Sequence, residues 1–342
     1  MTDTHTRAAS SSGAEDLARR KLGWTGFEIT PVGFGAWALG GGNWEFGWGP
    51  QDDGESLAAI RRAVDLGVNW IDTAAAYGLG HSETIVGQAL REMPADRRPY
   101  VFTKCSLIWD DRGHLRHSLE PASLRRELED SLRRLSAEAI DLYQIHWPAW
   151  QGRAVDLDVV ARAWETLAAL KREGRVQHIG LSNADVSTLE RCHAIAPVAS
   201  VQPPYSLRRR GIEADVLPWC ARHDVGVIAY SPLLSGLLSG GMTAGRAASL
   251  PADDWRRLSA EFREPLLSRN LALVERLRGI AREQGRTPAE MAIAWTLRRP
   301  VVSGAIVGWR SPRRVDESIG ASRVRWDARV ERAVNEALAE LG

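Results

Sequence analysis

A closed, single-domain (β/α)₈ TIM barrel of the α/β class is the fold that this chain of 342 residues predicts. Short apolar runs alternate with longer segments of helical period along most of the chain, which is the pattern of a parallel sheet covered by helices. Eight such units over about 250 residues match the barrel, whereas a doubly wound sheet usually has fewer strands or a second domain.

The elements follow in order. Residues 31–34 form the first apolar run, and Leu57, Ile60 and Val64 share one helical face that Gly67 closes. Runs at 68–71 and 100–103 come next; Pro121 then opens a helix whose buried stripe is Leu124, Leu128, Leu132 and Leu135. After the run at 140–145, Val160, Trp164 and Leu167 mark a helix that Gly174 ends. Runs at 176–181 and 199–202 precede a face built from Val216, Cys220 and His223. The last two runs are 225–230 and 305–307, and Ser311-Pro312 begins a late helix. Residues 233–270, rich in Gly and Ser, form a connection too long for an ordinary βα loop, which points to a functional segment.

Composition narrows the partners. Forty-four basic against 43 acidic residues leave a net charge of +1, so no charge excess supports nucleic-acid or anionic-membrane binding. A hydrophobic content of 44% supports a large core, and there is neither an 18-residue apolar run nor a signal-peptide stretch. Three widely spaced cysteines, Cys105, Cys192 and Cys220, fit a reducing compartment, so a cytoplasmic protein is expected. Residues 1–20 are polar and Ser/Ala-rich and read as a mobile tail, which leaves 21–342 for the barrel.

Reactive groups of such a barrel belong at the C-terminal ends of its strands. Three runs lead into ionisable residues there: 68–71 into Asp72, 100–103 into Lys104, and 140–145 into His146. Tyr77 follows Asp72 across a loop of small residues. Lys104 stands out because only 3 of the 44 basic residues are lysine. Arginine does not release a proton, whereas lysine can be tuned. Taken singly, Lys104 and Asp72 also fit a structural pair, Tyr77 a loop aromatic and His146 a core histidine. Their convergence on one rim favours chemistry. A phenol is a poor acid near neutrality unless a cation stabilises its phenolate. Lys104 is expected to make Tyr77 unusually acidic, with Asp72 orienting Lys104 and His146 bonding the same substrate oxygen. That arrangement protonates a carbonyl oxygen while a separate donor delivers hydride.

The segment 33–38 matches a dinucleotide-binding glycine pattern only superficially, since a glycine run rather than a helix follows it. Gly308, Arg310, Ser311, Arg313 and Arg314 lie after the last run, where barrels seat phosphate. Segment 231–237 adds hydroxyls and backbone amides, and Tyr230 offers a flat surface. His114 and His117 lack further ligands, so no metal is assigned. Trp37, Trp44, Trp48, Trp109, Trp147 and Trp150 fall in rim segments whose flat faces suit sugar rings or hydrophobic carbonyls. Trp37, Tyr77, His146, Trp109 and Trp147 are the substrate-facing candidates. Two rival readings are a Schiff-base lyase using Lys104 and a nucleotide-binding regulatory or redox-sensing protein with slow turnover.

From Lys21 to Gly320 the chain resembles the aldo-keto reductase superfamily. The segments that carry the resemblance are Arg20-Lys21-Leu22-Gly23, Gly33-Phe34-Gly35-Ala36-Trp37, Ile71-Asp72-Thr73-Ala74-Ala75-Ala76-Tyr77-Gly78, Phe102-Thr103-Lys104, Asp141-Leu142-Tyr143-Gln144-Ile145-His146, Gly180-Leu181-Ser182-Asn183 and Ala229-Tyr230-Ser231-Pro232-Leu233. The resemblance implies NADPH-dependent, reversible reduction of an aldehyde or ketone, with Asp72, Tyr77, Lys104 and His146 as the catalytic set. It implies that Ser182, Asn183 and Gln202 meet the nicotinamide amide, that Tyr230 stacks on its ring, and that Ala36 and Trp37 line that side. Ser231, Pro232, Leu233, Ser235 and Gly236 would wrap the diphosphate. Gly308 would lie near it, Arg310 and Arg314 would contact the adenosine phosphate, and Glu317 and Ser318 would lie by the adenine. Ser318 stands where many relatives carry Asn. A small carbonyl compound, sugar-derived by first preference, is the expected substrate.

Overall fold

The computed structural model describes residues 17–251 and 254–341. Eight parallel strands close into one barrel: β1 (Val32–Gly35), β2 (Trp70–Asp72), β3 (Tyr100–Cys105), β4 (Ile140–Ile145), β5 (Val176–Ser182), β6 (Ser200–Gln202), β7 (Gly226–Ala229) and β8 (Val302–Gly308). Neighbours pair in chain order, and β8 returns to β1 with Ala305 opposite Val32. Every apolar run became a strand. The last begins earlier than its sequence signal, because Ser303 and Gly304 interrupt the apolar run yet occupy buried strand positions.

Trp70 explains that interruption. Its indole fills the lower barrel, where a Cβ at Gly304 would lie 2.6 Å from the ring and one at Gly33 would lie 2.1 Å from it. Leu22, Phe27, Ile29, Phe102, Leu142, Ala199 and Ile228 complete this inner layer. An antiparallel pair, Arg20–Lys21 with Glu28–Ile29, covers the N-terminal end, and Arg20 donates to the carbonyls of Leu297 and Val302. The opposite end is left to the loops. Of the segment expected to be a tail, residues 1–16 lie outside the described residues, whereas Leu17 is buried in the core and Arg20 is paired.

The main core lies between the strands and the surrounding helices: α1 (Asp53–Asp65), α2 (His81–Arg91), α3 (Pro121–Leu135), α4 (Leu157–Arg172), α5 (Val186–His193) and α6 (Val216–Arg222), with four more after the seventh strand and a closing C-terminal helix. Asp52 caps α1 by accepting from the Glu55 amide, Pro121 is the first residue of α3, and Asp156 caps α4. Leu124, Leu128, Leu132 and Leu135 are buried as their spacing requires. His223 departs from the expected face: it follows the last turn of α6 and is exposed, lying against the ring of Trp219. The segment 233–270 is not one loop. It holds 3₁₀ turns and the short α7 (Ala244–Ala248), and α8 (Leu266–Glu283) has begun before it ends.

Candidate active site

The C-terminal rim gathers the expected side chains from separate strands. Asp72 ends β2, Lys104 is the fifth residue of β3, His146 follows β4, Ser182 ends β5, Gln202 ends β6, Tyr230 follows β7 and Gly308 ends β8. Tyr77 is carried by the β2–α2 loop. That loop is seated on the 3₁₀ turn Trp37–Gly40, where Gly78 has φ +58° and a Cβ on it would lie 2.3 Å from the Gly40 carbonyl oxygen. Glycine is therefore required at the residue next to Tyr77.

Lys104 is 1% exposed and donates three hydrogen bonds: to Asp72 Oδ1 at 2.5 Å, to the Thr73 carbonyl at 2.8 Å and to Tyr77 Oη at 3.3 Å. An ammonium has three donors, so none is wasted. The second oxygen of Asp72 accepts from Gln202 Nε2 at 2.8 Å. His146 packs edge-on against Tyr77 with ring centres 5.7 Å apart. The His146 carbonyl accepts from Asn183 Nδ2 at 3.0 Å, and Asn183 Oδ1 accepts from Tyr230 Oη at 2.8 Å.

Burial dominates the proton equilibria. It raises Asp72 and lowers Lys104, while their mutual attraction opposes both changes. His146 is pushed well below the ordinary imidazole value, first by burial and then by the Lys104 charge. Tyr77 corrects the expectation of an unusually acidic phenol: burial, reinforced by the Asp72 charge, raises it well above the ordinary value. The buried phenol is thus a proton-loaded donor. The neighbouring ammonium is placed to stabilise the phenolate that proton loss would leave.

A cavity of about 400 Å³ opens over this group. Asp72, Tyr77 and His146 line it, with Ala36, Trp37, Ser182, Asn183, Gln202, Tyr230, Ser231, Pro232, Leu233, Ser235, Gly236 and Gly308 along one part. Trp44, Phe46, Trp147, Trp150, Leu107 and Leu115 form an apolar part. The 231–236 segment suits an anionic ligand. Ser231, Leu234, Ser235 and Gly236 are left-handed, and among the described residues no hydrogen bond engages the amides of Leu233 and Ser235. Turns of this kind present backbone N–H groups to anions. A nicotinamide dinucleotide therefore fits the residues present.

Several of the expected residues lie off the cavity wall and have partners within the chain. Lys104 lies behind Asp72 and Tyr77 and does not line the cavity, so a Schiff-base nucleophile has no exposed amine. Trp109 packs behind the apolar wall beside Arg134. Arg310 is bonded to Gln51 and to the carbonyls of Trp48 and Pro50; Arg314 pairs with Glu317 at 2.7 Å. Ser318 is buried, accepting from Trp309 Nε1 at 2.7 Å and donating to the Arg314 carbonyl. These four lie outside the cavity wall. Phe46, Arg209 and Trp255 line it without having been singled out in the sequence. Trp255 stacks on Trp37 at 5.6 Å and comes from the long connection; its only signal was an aromatic inside that segment.

With this geometry in hand, comparison with known proteins gives a consistent answer. Residues 31–339 match the Aldo/keto reductase family. The chain is 35% identical over 289 residues to aldo-keto reductase YhdN of Bacillus subtilis, covering 84% of this chain and 83% of that protein. It is 31% identical to the NADH-specific methylglyoxal reductase of Escherichia coli, covering 93% and 98%. Its fold superposes on glycerol dehydrogenase from Gluconobacter oxydans with a TM-score of 0.82 and 34% identity, covering 94% and 95%. The chain belongs to the aldo/keto reductase family, oxidoreductases that use nicotinamide cofactors.

Burial of His146 and Tyr77 sets the expected pH dependence. His146 stays neutral as pH falls through about 6.5, and Tyr77 stays protonated as pH rises through about 9. The kcat for carbonyl reduction is accordingly expected to be flat from about pH 6 to 9. A loss of kcat on acidification with a midpoint near the ordinary imidazole value would contradict a buried neutral His146.

Proposed function

We propose that the protein reduces an uncharged aldehyde or ketone to an alcohol with NADPH, reversibly, and that Tyr77 is the general acid. The observation that carries the reading is the bond from Lys104 to both Asp72 and Tyr77, directly beneath the cavity. When bound, a reduced nicotinamide would supply the hydride for the carbonyl carbon. Tyr77 gives its proton to the carbonyl oxygen, and an alkoxide is basic enough to take it even from a phenol whose acidity burial has weakened. His146, neutral, donates a hydrogen bond to the same oxygen, and Lys104 stabilises the phenolate. Asp72 and Gln202 hold Lys104 in place.

Ser182, Asn183 and Gln202 are the groups for the nicotinamide amide, Tyr230 for its ring face, and residues 231–236 for the diphosphate. Arg314 and Arg310, beyond the last barrel strand, carry the preference for NADPH. Glu317 and Ser318 border the adenine, holding Arg314 and Trp309 rather than lining the cavity. Substrate selection falls to Trp37, Trp44, Phe46, Trp147 and Trp150, with Trp109 supporting them from behind. Their flat faces suit ring-bearing or sugar-derived carbonyls. The cavity's arginine, Arg209, is paired with Glu261 at 2.7 Å, which favours an uncharged substrate.

Tyr77→Phe keeps the ring and deletes the proton. Turnover across a panel of sugar and aromatic aldehydes is expected to fall by a factor of about 100 or more, with NADPH affinity within about twofold of the parent. Retained activity would refute the acid. Arg314→Ala is expected to weaken NADPH binding about tenfold while leaving NADH nearly unchanged, as titrations of cofactor fluorescence would show. Equal losses for both cofactors would refute the proposed reading of the extra phosphate.

A further inference from the structure

On the outer face of β3 lies a buried carboxylate that the reaction above does not use. Glu83, in the first turn of α2, is fully buried. Its Oε1 accepts from Thr103 Oγ1 at 2.5 Å, and its Oε2 accepts from Arg134 Nε, on α3, at 2.7 Å. Thr103 immediately precedes Lys104, and successive side chains of a strand point to opposite faces. Lys104 thus faces the barrel mouth while its neighbour is bonded to Glu83. The preceding residue completes the tie: Ser82 Oγ donates to the Ala36 carbonyl at 2.8 Å and lies 3.0 Å from Thr73 Oγ1. The Thr73 carbonyl is itself one of the three acceptors of Lys104. Two consecutive residues of one helix therefore fix the exits of β1 and β2 and the outer face of β3.

Resting on the assignment of Tyr77 as acid, we propose that Glu83 is a positioning residue for proton transfer, fixing β3 beside Lys104 and supplying a second negative charge behind it. A buried carboxylate–guanidinium pair is a weak source of stability, and apolar replacements often do as well. Stability alone is a poor reason for Glu83. Burial works against the Lys104 ammonium, and the charges of Asp72 and Glu83 both work for it. The other charged or titratable groups around Glu83 are Arg134 and Glu127 from α3, whose carboxyl burial raises to about 7, and Tyr143 and Cys105 from the strands, both held protonated by burial. On the α1 side, Asp53 pairs with His81 at the surface.

Glu83→Gln keeps the shape and an acceptor for Thr103 while deleting the charge. The test measures pH profiles of aldehyde-dependent NADPH oxidation, with thermal melting and NADPH binding alongside. The variants are Glu83→Gln and the double variant Glu83→Gln with Arg134→Met, which removes the pair together and covers the case in which the single variant folds poorly. Expected for both is a kcat lower by about tenfold, an alkaline limb displaced to lower pH by about half a unit or more, and NADPH affinity within about twofold. A lowered melting temperature with kcat and alkaline limb unchanged would overturn the proposal and leave Glu83 a structural residue. Tyr77→Phe in the same assay separates the two readings, since failure of the acid assignment appears there as retained activity.

Discussion

A lysine ammonium deprived of water is the constraint on which the rest of the site depends. Removing such a charge from solvent is expensive unless every donor finds an acceptor and an opposite charge lies close. Here the barrel meets that demand with groups from one loop and two strands: Asp72, the Thr73 carbonyl and Tyr77 take the three protons, and Gln202 steadies the far oxygen of Asp72. The acceptors cannot be moved independently, because each strand end is fixed by pairing with its neighbours around a closed sheet. A tight barrel is therefore also a precise holder for the proposed proton donor. The inner layer around Trp70 gives that barrel its floor, and the loops wall the cavity above it.

Burial has opposite consequences for the groups it encloses. It keeps His146 neutral and Tyr77 protonated, so both face the cavity as hydrogen-bond donors rather than as charges. Nothing in the composition announced this. A cation beside a phenol would by itself make the phenol acidic, whereas the enclosure that brings them together outweighs the cation. The same cation remains in position to stabilise a phenolate at Tyr77.

The barrel was legible because parallel strands buried on both sides leave continuous apolar runs, and all eight did so. The reactive end was legible for a related reason, since Asp72, Lys104 and His146 are polar residues at the ends of such runs. What was not legible comes from contacts between segments far apart in the chain. Phe46 and Trp255 reach the cavity from loops whose paths no periodicity encodes. Glu83 looks like any helix-surface acid until α3 brings Arg134 over it. The partners that Arg310 and Ser318 find within the chain, Gln51 and Trp309, also come from other segments and leave no local signal. Of the supposed tail, Leu17 and Arg20 belong to the packed molecule.

The scarcity of lysine makes the central claim directly measurable. With only Lys21, Lys104 and Lys171 in the chain, nitrogen NMR of the side-chain Nζ atoms can be assigned by single substitutions. The Lys104 signal at neutral pH is expected to be that of an ammonium, protected from exchange with solvent and displaced when Tyr77 loses its hydroxyl. A neutral-amine shift for Lys104, or a signal indifferent to the Tyr77 hydroxyl, would contradict it.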